Sequence, residues 1–168
     1  MQNIELKARL KDLPRARQIA GEIATQHLAP QHQVDTYFSC RFGRLKLREI
    51  DGVIGQLISY QRPDENGPKA SNYQVIVAPD PKSLKDALAT TLGVLAVIEK
   101  HREIYLWHNV RIHLDDVVGL GAFLEFEAVL DPTIDTAAGH AQVAELTKRF
   151  GVEPADLLPG SYGEMLAG

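Results

Sequence analysis

Charged residues recur at every second position in five separate stretches of this chain. In NIELKAR, Glu5, Lys7 and Arg9 alternate with Ile4, Leu6 and Ala8, and in RLKLREI, Lys46 and Arg48 alternate with Leu45 and Leu47. IEKHREIY puts Lys100 and Arg102 on one face. VRIHLD sets Arg111, His113 and Asp115 against Val110, Ile112 and Leu114, and FLEFEAV sets Glu125 and Glu127 against Leu124, Phe126 and Ala128. A period of two is that of a β-strand, whose successive side chains point to opposite faces. Any one such face, taken alone, is what a sheet turned toward water shows. The five together are segregated by sign: lysine and arginine pair on two strands, and carboxylates gather on others. A solvated sheet would intersperse both signs. Segregation predicts a ligand with complementary parts. Arg48 and Arg102 can fork onto phosphate oxygens and Lys46 and Lys100 can act as point charges, while the carboxylates suit a hard cation such as Mg²⁺ or Mn²⁺ that bridges phosphates.

The elements that position these residues follow from the same periodicities. Residues 3–10 read as a strand. A helix is expected from Leu13 to about His27, with Asp12 as its cap, Pro14 in its first turn and Ala16, Ile19, Ala20, Ile23 and Ala24 at helical spacing. Residues 33–39, 44–50 and 54–61 read as a meander, with Asp51-Gly52 as a tight turn. After the loop RPDENGPKA come a strand over 72–78 and a helix over 83–92 behind Pro81, closed by Gly93. Strands over 95–107, 110–115 and 122–130 precede a last helix over 136–150 and a short tail. This order predicts an α+β domain; with the charged faces turned inward it is a closed or nearly closed antiparallel β-barrel, a tunnel of about eight strands flanked by helices.

The 168 residues, 45% hydrophobic, suffice for one domain over 1–168. A net charge of -4 argues against a nucleic-acid or membrane-surface binder, so an anionic ligand needs a locally basic site. The single cysteine, Cys40, excludes an internal disulfide and a cysteine-rich zinc site, and fits a cytoplasmic location. No apolar stretch approaches a membrane span, and no targeting segment is visible. The six histidines match no metal motif. His108 is expected to be structural or exposed, and His113 a hydrogen-bonded bystander within reach of proton transfer. Gly119 and Gly121 lack the context of a dinucleotide loop.

In order and spacing, NIELK, DTYF, LKLRE, KHREIY and LDDVVGLGAFLEFE resemble the CYTH superfamily, the triphosphate tunnel metalloenzymes that include class IV adenylyl cyclases, thiamine triphosphatases and inorganic triphosphatases. The resemblance implies that Glu5, Glu125 and Glu127 hold metal. It makes Asp115 a further acidic tunnel residue, and Lys7, Lys46, Arg48, Lys100 and Arg102 the grip on triphosphate, with Arg111 a further inward-facing candidate. Glu5, Lys7, Asp115 and Glu125 are the catalytic candidates. DTYF and GLGAF are expected to supply turns and packing. The chain departs from the family pattern at Asn3, where a first glutamate is usual, and at Gln61, where a lysine is usual; Arg62, if a bulge shifts its register, or Lys69 would replace that lysine. The resemblance implies a Mg²⁺- or Mn²⁺-dependent enzyme of the class IV adenylyl cyclase type, turning ATP into cyclic AMP and pyrophosphate. Hydrolysis of inorganic triphosphate, thiamine triphosphate or a nucleotide is the alternative, and a non-catalytic nucleotide-binding module the third reading. Its partner is a small triphosphate, not nucleic acid or membrane, with pairing into a homodimer open.

Overall fold

A computed structural model describes residues 1–167. Eight antiparallel strands close on themselves: β1 (Gln2–Arg9), β2 (Gln26–Phe38), β3 (Arg44–Ile50), β4 (Ile54–Gln61), β5 (Lys69–Ala78), β6 (Val94–Trp107), β7 (Val110–Val117) and β8 (Gly121–Val129). Their order around the barrel is β1-β5-β4-β3-β2-β6-β7-β8, and β8 returns to β1 with Lys7 opposite Glu125 and Glu5 opposite Glu127. Helices α1 (Leu13–Ile23), α2 (Pro81–Leu92), α3 (Thr136–Arg149) and α4 (Tyr162–Ala167) flank it. The α+β barrel expected from the alternation is the one observed.

The apolar core lies outside the barrel. Ile4, Leu6 and Ala8 of β1, Ile112 and Leu114 of β7, and Leu124, Phe126 and Ala128 of β8 turn outward and pack with Ala16 and Ala20 of α1 and Val143 and Leu146 of α3. Each such aliphatic or aromatic side chain contributes about 1.5–3 kcal/mol on burial, so helices on the outer face supply the cohesion that an ordinary barrel draws from its lumen. That frees the lumen for charge. Gly139 allows this closeness on α3: a Cβ there would sit 2.8 Å from Leu130 and 2.9 Å from Ile4. A second cluster, Phe38, Leu47 and Ala78, lies under Leu84 and Leu88 of α2.

Local signals behave as their chemistry dictates. Asp12 accepts from the Arg15 amide at 3.0 Å, and Asp51 and Gly52 turn β3 into β4 at φ 51° and 69°. His108, at φ 54°, is an exposed turn residue between β6 and β7.

Three boundaries differ from expectation by three residues or more. Helix α1 stops at Ile23 rather than His27, because the Thr25 amide bonds the Leu106 carbonyl at 2.7 Å and His27 stacks on Tyr105 at 4.2 Å, drawing the segment onto β6. Strand β2 accordingly begins at Gln26 and runs on past Pro30, where its register with β6 slips between Leu28 and Gln31; proline, which lacks an amide hydrogen, is accommodated at such an irregularity. Strand β5 also starts earlier, at Lys69.

Candidate active site

Odd-numbered residues of β1, β5, β7 and β8 and of β2 from Gln31 onward, with Leu28 ahead of the β2 register slip, and even-numbered residues of β3, β4 and β6 face the lumen, around a cavity of about 300 Å³. Ser161 and the fully buried Tyr162, at the start of α4, close part of the lining.

Beneath the cavity, two carboxylates organise the cations. Asp35, wholly buried on β2, accepts from Arg48 Nε at 2.8 Å and Nη2 at 2.8 Å, from Lys100 Nζ at 2.8 Å and from Lys46 Nζ at 3.1 Å. Burial opposes its ionisation, but Arg48, Lys100 and Lys46 outweigh burial and hold it well below the usual carboxylate range. On the other wall Arg102 forks onto Asp115, Nε to Oδ1 and Nη2 to Oδ2, each at 2.7 Å, and the Tyr162 hydroxyl donates to Oδ2 at 2.7 Å. Burial would raise Asp115, yet the guanidinium brings it down to about 2.

The carboxylates facing the cavity are held more loosely. Lys7 Nζ lies 3.5 Å and Arg102 Nη2 3.6 Å from Glu125 Oε2, Glu5 Oε1 is 3.1 Å from Arg62 Nη1, and Glu127 Oε2 is 2.7 Å from Arg111 Nη2. Burial and then the charge of Glu125 raise Glu5; burial and a shared hydrogen bond with Glu125 raise Glu127. Glu125 itself is drawn well below the usual range, since Lys7, the bond from Glu127 and Arg102 overcome its burial. Among the lysines, burial and then Arg48 bring Lys46 down to about 8, and burial with nearby guanidiniums pushes Lys100 down against the pull of Asp35.

The structure gathers Glu5, Lys7, Lys46, Arg48, Lys100, Arg102, Arg111, Glu125 and Glu127 around this one cavity. Asp115 is placed beneath Arg102 with both oxygens occupied. DTYF is not a turn: Asp35 to Phe38 end strand β2, and Asp35 is the hub of the basic cluster. Arg62 needs no bulge to reach the lumen, because it follows Gln56, Ile58 and Tyr60 in ordinary alternation while Gln61 faces out. Lys69 is buried and donates to the carbonyls of Glu65 and Pro159 at 2.7 and 2.8 Å. His113 lines the cavity with its Nδ1 3.9 Å from Glu125 Oε1 and without a closer hydrogen-bond partner among the described residues. Tyr162, which the sequence left in a featureless tail, lies with its ring centroid 3.9 Å from Lys7 Nζ.

A closed antiparallel barrel with its apolar core outside and a lumen of basic side chains and cavity-facing glutamates is a charge-lined tunnel. Residues 1–162 match the CYTH domain. The chain belongs to this family of metal-dependent triphosphate tunnel proteins. It is 24% identical over 174 residues to a Methanocaldococcus jannaschii protein named as a candidate adenylate cyclase, with 98% of each chain covered. Among solved structures, a candidate adenylate cyclase of Vibrio parahaemolyticus superposes with a TM-score of 0.79 at 24% identity, covering 99% of this chain and 98% of that one. A Hippeastrum protein described as a candidate adenylyl cyclase with a dominant triphosphatase activity superposes with a TM-score of 0.65 at 16% identity, covering 98% and 93%.

Proposed function

We propose that this protein is a metal-dependent enzyme that converts ATP into cyclic AMP and pyrophosphate. The observation that carries the reading is the mixed lining of the lumen. Beside the cations and carboxylates, Leu28, Gln31, Ile50, Gln56, Val75 and Ile104 line the same cavity with amides and aliphatic surface. Inorganic triphosphate would leave that neutral surface without a partner; a triphosphate joined to a neutral, hydrogen-bonding heterocycle uses both kinds of lining. The names of the M. jannaschii and V. parahaemolyticus relatives support the same reading.

In this reading Lys46, Arg48, Lys100 and Arg102 grip the phosphates, Lys7 and Arg62 hold the end near Tyr162, and Arg111 stands beside Glu127. The residues fit a divalent cation: Glu125 and Glu127 are drawn together despite their like charge, with Glu5 opposite Glu127 on the neighbouring strand. These carboxylates would hold Mg²⁺ or Mn²⁺, which when bound withdraws charge from the attacked phosphorus and the leaving group. The ribose 3′ oxygen bonds to the α-phosphorus, the bond from that phosphorus to the β-bridging oxygen breaks, and the 3′ proton passes to water in the tunnel. The lysines and arginines stabilise the departing pyrophosphate, since such transfer rests on positioning and electrostatics.

The second reading is hydrolysis at the terminal phosphorus, favoured by the Hippeastrum relative's described activity. Incubation with ATP and Mg²⁺ or Mn²⁺, followed by separate assays for cyclic AMP, pyrophosphate and orthophosphate, tests both. Cyclic AMP with equimolar pyrophosphate is expected. Orthophosphate with ADP would overturn the cyclase in favour of hydrolysis, and binding without turnover would leave a nucleotide-binding module.

A further inference from the structure

We infer that the divalent cation is ligated by the imidazole of His113 as well as by Glu125 and Glu127, and that the site therefore selects Mn²⁺ over Mg²⁺. His113 stands on β7 directly opposite Glu125 on β8, one alternation from Arg111 opposite Glu127. One donor atom from each of His113, Glu125 and Glu127 can be chosen so that all three lie within 4.8 Å of one another, the spacing of groups that surround a common ion. His113 is 5% exposed and lines the cavity. Its Nδ1 is buried without a hydrogen-bond partner; Glu125 Oε1, at 3.9 Å, is too far to serve as one. A histidine kept in a packed wall for its bulk alone normally satisfies such a nitrogen, because an unsatisfied buried polar atom costs about 1–3 kcal/mol.

The charges around the cluster fit a cation that arrives with an anion. Glu125 meets Lys7 and Arg102 only at 3.5 and 3.6 Å, and Glu127 meets Arg111 through one oxygen, Oε2. Donor chemistry then decides the ion. Mg²⁺ favours an all-oxygen octahedron and retains its waters, whereas imidazole nitrogen suits later first-row ions, of which Mn²⁺ remains compatible with carboxylate and phosphate oxygens.

The inference rests on the proposed metal dependence of the tunnel, so its test reads the metal and not turnover. Mn²⁺ is titrated into the intact protein, alone and with a non-hydrolysable ATP analogue, and bound metal is followed by electron paramagnetic resonance. Pulsed spectra are recorded for modulation from a directly bound nitrogen. Isotopic labelling of histidine alone assigns that modulation without any substitution. A histidine-nitrogen signal is expected, with Mg²⁺ competing at least about tenfold more weakly than Mn²⁺ displaces it. His113→Gln is expected to weaken Mn²⁺ about tenfold and to change Mg²⁺ affinity less than about twofold, with the nitrogen signal gone. Bound Mn²⁺ without histidine nitrogen, or equal loss of both ions in the variant, overturns the inference while metal dependence stands. Absence of any bound metal, with and without the analogue, overturns both.

Discussion

Replacing Asp35 by Asn keeps the shape of the side chain and removes one charge from the wall of the tunnel. The carboxylate is wholly buried and accepts from Lys46, Arg48 and Lys100, which are themselves nearly sealed, with side chains 13%, 13% and 1% exposed. Breaking a buried ion pair by removing one partner typically costs about 3–5 kcal/mol, because the remaining charge keeps its desolvation penalty without compensation. Here three cations lose their partner together. For a chain of 168 residues, each kcal/mol lowers the melting temperature by about 2–4 °C, so the expected fall is roughly 6–20 °C. Thermal and urea unfolding of the ligand-free protein at pH 7 measure it. A second arm tests the cause. In the variant Lys46 and Lys100 are released from Asp35 and give up protons more readily, so between their depressed folded values and the unfolded lysine value the unfolded chain binds more protons than the folded one. Stability rises with pH in that window, and the gap to the wild type is expected to narrow from pH 7 to 9. A loss under about 1 kcal/mol, the scale of an exposed pair, or a gap that holds constant with pH, would refute the claim that Asp35 neutralises buried cations.

Affinity for a non-hydrolysable ATP analogue is expected to weaken as pH rises through 8, by up to about tenfold per pH unit. Lys46, at about 8 in the free protein, must regain its proton on binding, and calorimetry in buffers of different ionisation enthalpy should show the uptake. Arg62→Gln is expected to weaken the same analogue about tenfold or more, the scale of a lost hydrogen bond to a charged group, whereas Gln61→Ala, on the outer face, should leave it within about twofold; equal effects would sink the assigned strand phase. Gly163→Ala would place a Cβ 2.9 Å from the Tyr37 ring, and overpacking of this kind costs about 1–3 kcal/mol; unchanged urea unfolding would show that α4 is not seated on the barrel end.

Alternation alone found most of the lining, since Glu5, Lys7, Lys46, Arg48, Lys100, Arg102, Arg111, Glu125 and Glu127 each sit two residues from another charged or polar lumen residue. Asp35 escaped because it is the one formal charge among Gln33, Asp35 and Tyr37, where a row of like charges was the signal sought; the polar alternation of those three residues was nonetheless present. Arg62 was misplaced because Gln56, Ile58 and Tyr60 mix polar and apolar types, so β4 carries no clear sign of which phase faces inward. The start of β2 was hidden by Ala24, Gln26 and His27, which a helix accepts as readily as a strand, and pairing with β6 decided the matter. Nothing local marks Tyr162. It becomes a tunnel residue only when the barrel has closed and α4 has folded back across its end, a contact far apart in the chain.

The five carboxylates of the tunnel wall divide by how completely their oxygens are occupied, and that division separates scaffold from donor. Both oxygens of Asp35 and both of Asp115 accept close, directed bonds, and neither residue lines the cavity. A metal could reach them only by displacing a buried guanidinium. Asp115, a catalytic candidate by resemblance, is therefore better placed to fix Arg102 than to touch a cation. Glu5, Glu125 and Glu127 line the cavity, have only one close partner or contacts beyond 3.4 Å, and lie against one another on adjoining strands. The sealed pair allows Arg48, Arg102, Lys46 and Lys100 to stand side by side, so the work of assembling like charge is done by folding, and in the proposed function the open trio is left to receive the ion that accompanies the ligand. On this argument Asp115→Asn should disturb Arg102 and weaken the ATP analogue while sparing Mn²⁺ affinity measured without nucleotide, and Glu127→Gln should do the reverse. Paired titrations of the two variants, with Mn²⁺ alone and with the analogue alone, measure this, and a loss of Mn²⁺ binding in Asp115→Asn equal to that in Glu127→Gln would erase the distinction.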